Sequence, residues 1–171
     1  MPIEFSVADL LAQPVDAIVN AANEGLVHGG GIAAVISRAA GHGFDDESHR
    51  AAPCPTGDAV VTGAGDLPQR AVIHAVGPVW EGGDAGEPAL LASCHRAVVA
   101  RAAEQGFVTI GLPAISTGVF GYPIARAAPV AIGAVAEALA VTPAVRLVRF
   151  CFLDPATREV YAEAAAALGV S

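Results

Sequence analysis

The chain contains no lysine: all nine of the basic residues among its 171 are arginines, and 17 acidic residues bring the net charge to −8. That balance excludes a protein that coats nucleic acid, because such binding draws its affinity from a cationic surface that displaces counterions. It also excludes lysine-based phosphate clamps and Schiff-base chemistry. Cysteine is sparse as well. Cys54, Cys94 and Cys151 are odd in number and far apart, with no CxxC pair, so neither a disulfide framework nor a metal site is indicated, and reduced, mostly buried thiols are expected. A basic region followed by an apolar run, as a secretory leader requires, is missing from the opening MPIEFSVADL, which carries Glu4 instead. The longest uncharged stretch, Gln105 to Ala125, has the length of a membrane span but contains Pro113, Pro123, four glycines, Ser116 and Thr117, which is the composition of strand and loop. A cytoplasmic protein that makes no use of a membrane is expected.

The length suits one domain with a core large enough to need no staples, and no internal repeat, charge block or linker divides it. The acid- and glycine-rich EGGDAGEP at 81–88 reads as a surface loop. Short apolar runs at 3–7, 15–19, 59–62, 71–76, 107–112 and 145–152 have the length of buried strands. Between them GIAAVISRAA at 31–40 places Ile32, Val35, Ile36 and Ala39 on one helical face, closed by Gly41. A second helix spans 88–105. A third opens near Pro123 and runs to about 140, with a kink or a late start expected at Pro129, which lacks a backbone donor. Asp154 and Pro155 make the cap and first turn of a last helix reaching Leu168. Strands alternating with helices imply a largely parallel or mixed sheet covered on both faces.

In such a sheet, ligands bind where strand ends meet loops and helix N-termini. Two segments have that character: VDAIVNAANEGLVHGGGIAAVISRAAG at 15–41 and GLPAISTGVFGYP at 111–123. Glycines at the start of a helix let backbone N–H groups approach an anion, where the helix dipole favours it, although glycine clusters also simply build turns. The string GGGIAA fits a loose dinucleotide pattern. A dinucleotide fold, however, needs its first glycine close behind the strand and an acid ending the next strand about 20 residues on. Here Ala21 to His28 intervene, and Asp45, Asp46 and Glu47 read as polar loop, so that fold is rejected. Asn20 and Asn23 close an otherwise apolar strand; buried amides need partners, so they either pin the loop or face a polar ligand. His74, at the centre of AVIHAVG, reads as a satisfied core histidine, and His28 as a local hydrogen-bonder. Asp9 either caps a short helix or accepts a hydrogen bond from a ligand's amino group.

VNAANEGLVHGGGIAAVISRAAG resembles the macrodomain signature, in which a NAAN-type element precedes a glycine-rich helix start. PTGDAVVTGAGDLPQRAVIHAVGPVW at 55–80 is similar to that family's central strand pair, LPAISTGVFGYP to its second phosphate loop, and FCFLDPATREVYAEA to its closing strand and helix. The resemblance covers nearly the whole chain. It implies a single α/β macrodomain over 1–171, with a mixed, mostly parallel sheet of about six strands sandwiched between helices. It implies that Asp9, Leu10 and Phe152 meet the adenine of ADP-ribose and that Asn23 holds the distal ribose beside Ala21 and Ala22. Gly29, Gly30, Gly31 and Ile32 would line one side of the diphosphate. Pro113, Ser116, Thr117, Gly118, Val119, Phe120 and Gly121 would line the other. The expected partner is ADP-ribose or an ADP-ribosylated protein; no cofactor or metal is implied, and a monomer is expected. Ala33 stands where the mitochondrial-type hydrolases carry an Asp, so the arrangement looks closer to viral and archaeal macrodomains, some of which remove ADP-ribose from acidic side chains. In that reading Asn23 orients the ribose and a water while His28 and the substrate's own phosphate assist attack. A non-catalytic reader, or an O-acetyl-ADP-ribose deacetylase using the same cleft, is the alternative.

Overall fold

A computed structural model describes residues 2–170. Six strands form one sheet in the order β1 (Ile3–Val7), β6 (Leu147–Phe152), β5 (Thr109–Leu112), β2 (Ala17–Ala22), β4 (Ala71–Val76), β3 (Ala59–Gly63). All neighbours pair in parallel except β3, which runs antiparallel to β4. Every expected strand is present. β2 starts two residues later and continues three residues further than its apolar run, because Asn20, Ala21 and Ala22 stay paired to His74, Ala75 and Val76 of β4. The open edge of β3 is blunted at both ends: Arg101 Nε donates to the Ala59 carbonyl at 2.9 Å, and the Gly63 N–H donates to Glu47 at 2.7 Å.

Helices cover both faces, as expected of strands buried on two sides. On one face lie α3 (Glu87–Glu104), α4 (Ile124–Ala140) and α5 (Pro155–Ala167), packed through Leu91, Val98, Ala131, Ile132, Val135 and Tyr161 onto Val19, Ile73, Ile110, Leu112 and Phe150 of the sheet. On the other lie α1 (Gly31–Ala40) and α2 (Phe44–Ala51), whose Ile36, Ala40 and Phe44 meet Ile18 and Val72. The three cysteines are free and buried, and burial pushes the thiols of Cys54 and Cys151 up to about 11 and that of Cys94 to about 12.

Three local expectations are corrected. Asp45, Asp46 and Glu47 are not loop but the first turn of α2, where carboxylates favour the positive end of the helix dipole, with His49 and Arg50 in its last turn. α4 starts at Ile124, so the late start is corrected, and runs through Pro129 to Ala140; the missing proline donor leaves out one bond near the helix start, and the buried face Ala127, Ala128, Ala131 and Ile132 holds the helix in place. Helix α1 is turned from the expected face: Ala33, Ile36 and Ala40 point inward, whereas Val35 and Ala39 are exposed.

Candidate functional site

The carboxyl ends of β1, β6, β5, β2 and β4 open into one cleft of about 780 Å³, the place where a parallel sheet directs loops and helix N-termini. Asp9 and Leu10 follow β1, and Phe152 ends β6. Ala21, Ala22 and Asn23 come from the end of β2, Gly29 to Ile32 from the start of α1, and Pro113 and Ser116 to Phe120 from the loop after β5. All of these expected residues line the cleft. His28 and Gly121 do not. Gly121 instead closes the loop, with φ +74° and its N–H donating to Gly118 O at 2.9 Å.

At the β1–β6 end, Asp9 caps a short 3-10 turn, Leu10–Ala12, by accepting the Leu11 N–H on Oδ1 at 3.0 Å, and it lines the cleft as well. The capping reading of Asp9 is the one seen in the fold. Beside it Asp154 caps α5, accepting from Thr157 N at 2.7 Å and Thr157 Oγ1 at 2.9 Å; those bonds hold its carboxyl below the usual range. Phe152 forms the floor, its ring 4.6 Å from Tyr161, and Leu153 stands 93% exposed on the rim. Asp9 and Asp154 are the two carboxylates of the lining among the described residues, and both belong to this end.

The middle is built from backbone. A Cβ added at Gly29, Gly30 or Gly31 would meet nothing within 4 Å, so the main chain there faces open space. The first turn of α1 carries no acidic side chain, which leaves the helix dipole unneutralised toward the cleft. Opposite, Ser116 sits at φ +68°, a left-handed conformation unusual for a residue with a side chain. It is 5% exposed and its Oγ has no partner in the chain. Gly77, at the end of β4, makes room for it: a Cβ there would collide with Ser116 Oγ and lie 2.6 Å from Ile115. The loop is braced from outside the cleft. Trp80 N–H donates to Phe120 O at 2.8 Å, and the Trp80 ring lies 4.6 Å from Tyr122, whose own N–H donates to Ser116 O at 2.9 Å. The segment after Trp80 is gathered by the buried carboxylate of Glu87, which accepts the N–H groups of Glu81, Gly83 and Ala85 at 2.9, 2.8 and 2.6 Å. Burial alone would raise the Glu87 pKa; the backbone donors outweigh it and bring it to about 2.

Toward β2 and β4, Asn23 accepts the Val27 N–H and donates to the Val27 carbonyl, both at 2.9 Å. One amide hydrogen and one lone pair of its side chain remain for a ligand. Asn20 points the other way, into the core beneath the glycines. Its Nδ2 donates to His74 Nδ1 at 3.1 Å and to His28 Nδ1 at 3.4 Å. Both imidazoles are thereby acceptors at Nδ1 and donors at Nε2, to Thr62 Oγ1 at 2.8 Å and Ser48 Oγ at 2.9 Å. The His28 ring stacks on His74 at 5.3 Å and lies 5.3 Å from Phe44. Burial holds His28 below its ordinary pKa, with Asp45 partly opposing, and brings His74 down to about 3. Both nitrogens of His28 are engaged away from the cleft, in bonds that anchor the chain entering the glycine loop. The expectation that His74 is a satisfied core histidine holds.

The lining also contains Ala8, Val27, Ala33, Gly77, Ile115 and Thr157, none of which was expected to meet a ligand. Ala8 and Gly77 are the first residues beyond β1 and β4, the position where any parallel strand delivers its chain to the cleft. Among the described residues no three of His, Cys, Asp or Glu gather to hold a metal ion.

The family model described as Macro domain matches residues 19–131. A macro domain-containing protein of Cupriavidus necator is 46% identical over 160 residues, covering 91% of this chain and 92% of its own. A protein of Enterobacter cloacae named O-acetyl-ADP-ribose deacetylase is 45% identical over 157 residues, covering 90% and 87%. Among solved structures, a variant of the Oceanobacillus iheyensis macrodomain with ADPR superposes with a TM-score of 0.90 at 31% identity, over 99% of this chain and 93% of that one. The Trypanosoma brucei macrodomain in complex with ADP-ribose gives 0.88 at 32%, over 95% and 68%.

Proposed function

The chain belongs to the macrodomain family, and from that premise we propose that its cleft binds ADP-ribose and hydrolyses the ester that joins the distal ribose to an acidic side chain of a modified protein. One observation carries the reading: the three parts of the cleft differ in chemistry in the order that adenosine, diphosphate and ribose require. The β1–β6 end offers an aromatic floor and a carboxylate that can accept from an exocyclic amino group. The middle offers backbone N–H groups and a helix N-terminus on one wall and a strained loop with an unpartnered Ser116 hydroxyl on the other, which suits a diphosphate without any lysine. The Asn23 amide lies beyond, where the distal ribose would reach.

In hydrolysis, water adds across the ester, giving ADP-ribose and a free carboxylate, and the proton leaves to solvent. Asn23 holds the ribose and the attacking water. The ligand's own diphosphate is the nearest anion to orient that water, since both lining carboxylates belong to the adenine end. His28 takes no proton in this scheme. Catalysis by positioning without a protein base predicts modest turnover. The same cleft chemistry would cleave the acetyl ester of O-acetyl-ADP-ribose, a second reading favoured by the name of the Enterobacter relative.

The test is incubation with a protein mono-ADP-ribosylated on Glu or Asp and, in parallel, with O-acetyl-ADP-ribose, following released ADP-ribose. Asn23→Ala should slow release by at least roughly tenfold. Unchanged release in that variant would refute the mechanism, and tight binding without release from either substrate would make the protein a reader.

A further inference from the structure

The turn that carries Asp9 and Leu10 is held from outside the cleft by a residue far away in the chain. Gln69 lies in the loop between β3 and β4 and is 5% exposed. Its Nε2 donates to the Leu11 carbonyl at 3.0 Å and to the Gln13 carbonyl at 2.9 Å. Facing two acceptors, the amide has one possible orientation, and its Oε1 is left buried without a partner. An unsatisfied buried acceptor is a cost, here tolerated for the two bonds made by the other half of the amide.

Those bonds fix the far side of the turn that Asp9 caps. Gln13 ties it back, donating from its side chain to the Asp9 carbonyl at 2.8 Å while accepting from Arg149 Nη1 at 3.1 Å; Arg149 is in turn paired with Glu4 at 2.7 Å. Leu10 closes the inner side against β5, where even a Cβ at Gly111 would come to 3.0 Å from its Cδ1. With Oδ1 of Asp9 bound to Leu11 N, Oδ2 has no protein partner among the described residues. The direction in which it faces the cleft is decided by the turn.

We propose that Gln69 is a positioning residue for base selection, fixing the turn from which Asp9 meets the 6-amino group of adenine. The inference rests on the ADP-ribose reading of the cleft. Gln69 is outside the lining, so its effect should fall on the discrimination between a 6-amino and a 6-oxo purine and not on the phosphates.

The experiment measures calorimetric affinities of ADP-ribose, its hypoxanthine analogue and ribose 5-phosphate for the wild-type protein and for Gln69→Met, which keeps the volume and removes both donors. The wild type should favour the adenine ligand by roughly tenfold or more, as a site built to hydrogen-bond a particular group does. Gln69→Met should cut that ratio at least fivefold and leave ribose 5-phosphate within twofold of wild type. In an Asp9→Asn background the same substitution should change the ratio no further, because the two residues act through one contact. Gln69→Glu, which turns an oxygen toward the two carbonyls, is the second variant should Gln69→Met fold poorly, with the same expectation. An unchanged ratio, or equal weakening of all three ligands, would overturn the proposal and leave Gln69 a structural residue. A wild-type protein that binds none of the three would instead remove the reading of the cleft, and this inference with it.

Discussion

The two faces of the sheet are equally buried and differently made. Under α3, α4 and α5 the interior is mainly aliphatic and aromatic, with Val19, Ile73, Ile110, Ile132 and Phe150 packed together and one buried imidazole, His95, held within its own helix by a bond from Nδ1 to the Leu91 carbonyl at 2.7 Å. Under α1 and α2, the buried Asn20, His74, Thr62 and Ser48 and the half-buried His28 form one hydrogen-bonded group. That group lies beneath the glycine loop. An apolar interior is the more economical source of stability, whereas a polar one fixes directions; the fold uses the first where nothing but stability is required and the second where a loop has to be held.

The comparison can be broken at its apolar side first. Ile132→Ala should cost about 2–5 kcal/mol, read as a fall in the chemical-denaturation midpoint, while ADP-ribose affinity stays as in the wild type. A variant equally destabilised and unable to bind would show that the two faces are not separable. The polar side is sharpened by acid. His74, with a folded pKa of about 3, stays neutral while the unfolded chain takes up its proton. Its contribution is complete above pH 6.5 and is lost as the pH falls from there toward 3, with a slope of about 1.4 kcal/mol per pH unit. His95 of α3, on the opposite face and brought to about 4 by burial, adds a like slope from 6.5 down to 4. Thermal melts between pH 7 and 4 should show this decline, and His74→Leu should make it shallower, leaving the share of His95; a flat profile in the wild type would contradict the neutral network.

Much of this architecture is legible in the amino-acid sequence. Apolar runs located all six strands, and the strand ends with their glycines located most of the cleft, because a parallel sheet converts strand ends into a site. Helix α2 was not, since its FDDESHRA buries only Phe44 and Ser48 and shows no apolar periodicity; the acids in its first turn and the bases in its last were the available signal. The rotation of α1 was missed because Val35, apolar and exposed, faces the cleft and not the core. Gln69 and Glu87 were beyond reach for another reason. Each is a polar loop or helix-start residue whose role rests on partners that only the folded chain supplies.

The central claim is that backbone in the middle of the cleft holds the ligand, and Gly30 addresses it most directly. Its φ of −164° suits any residue, and a Cβ there meets nothing within 4 Å, so Gly30→Val should fold with a stability change within about 1 kcal/mol. A calorimetric titration with ADP-ribose should give saturable one-site binding for the wild type and a loss of at least tenfold in affinity for the variant. Equal affinity in the two proteins would contradict the account.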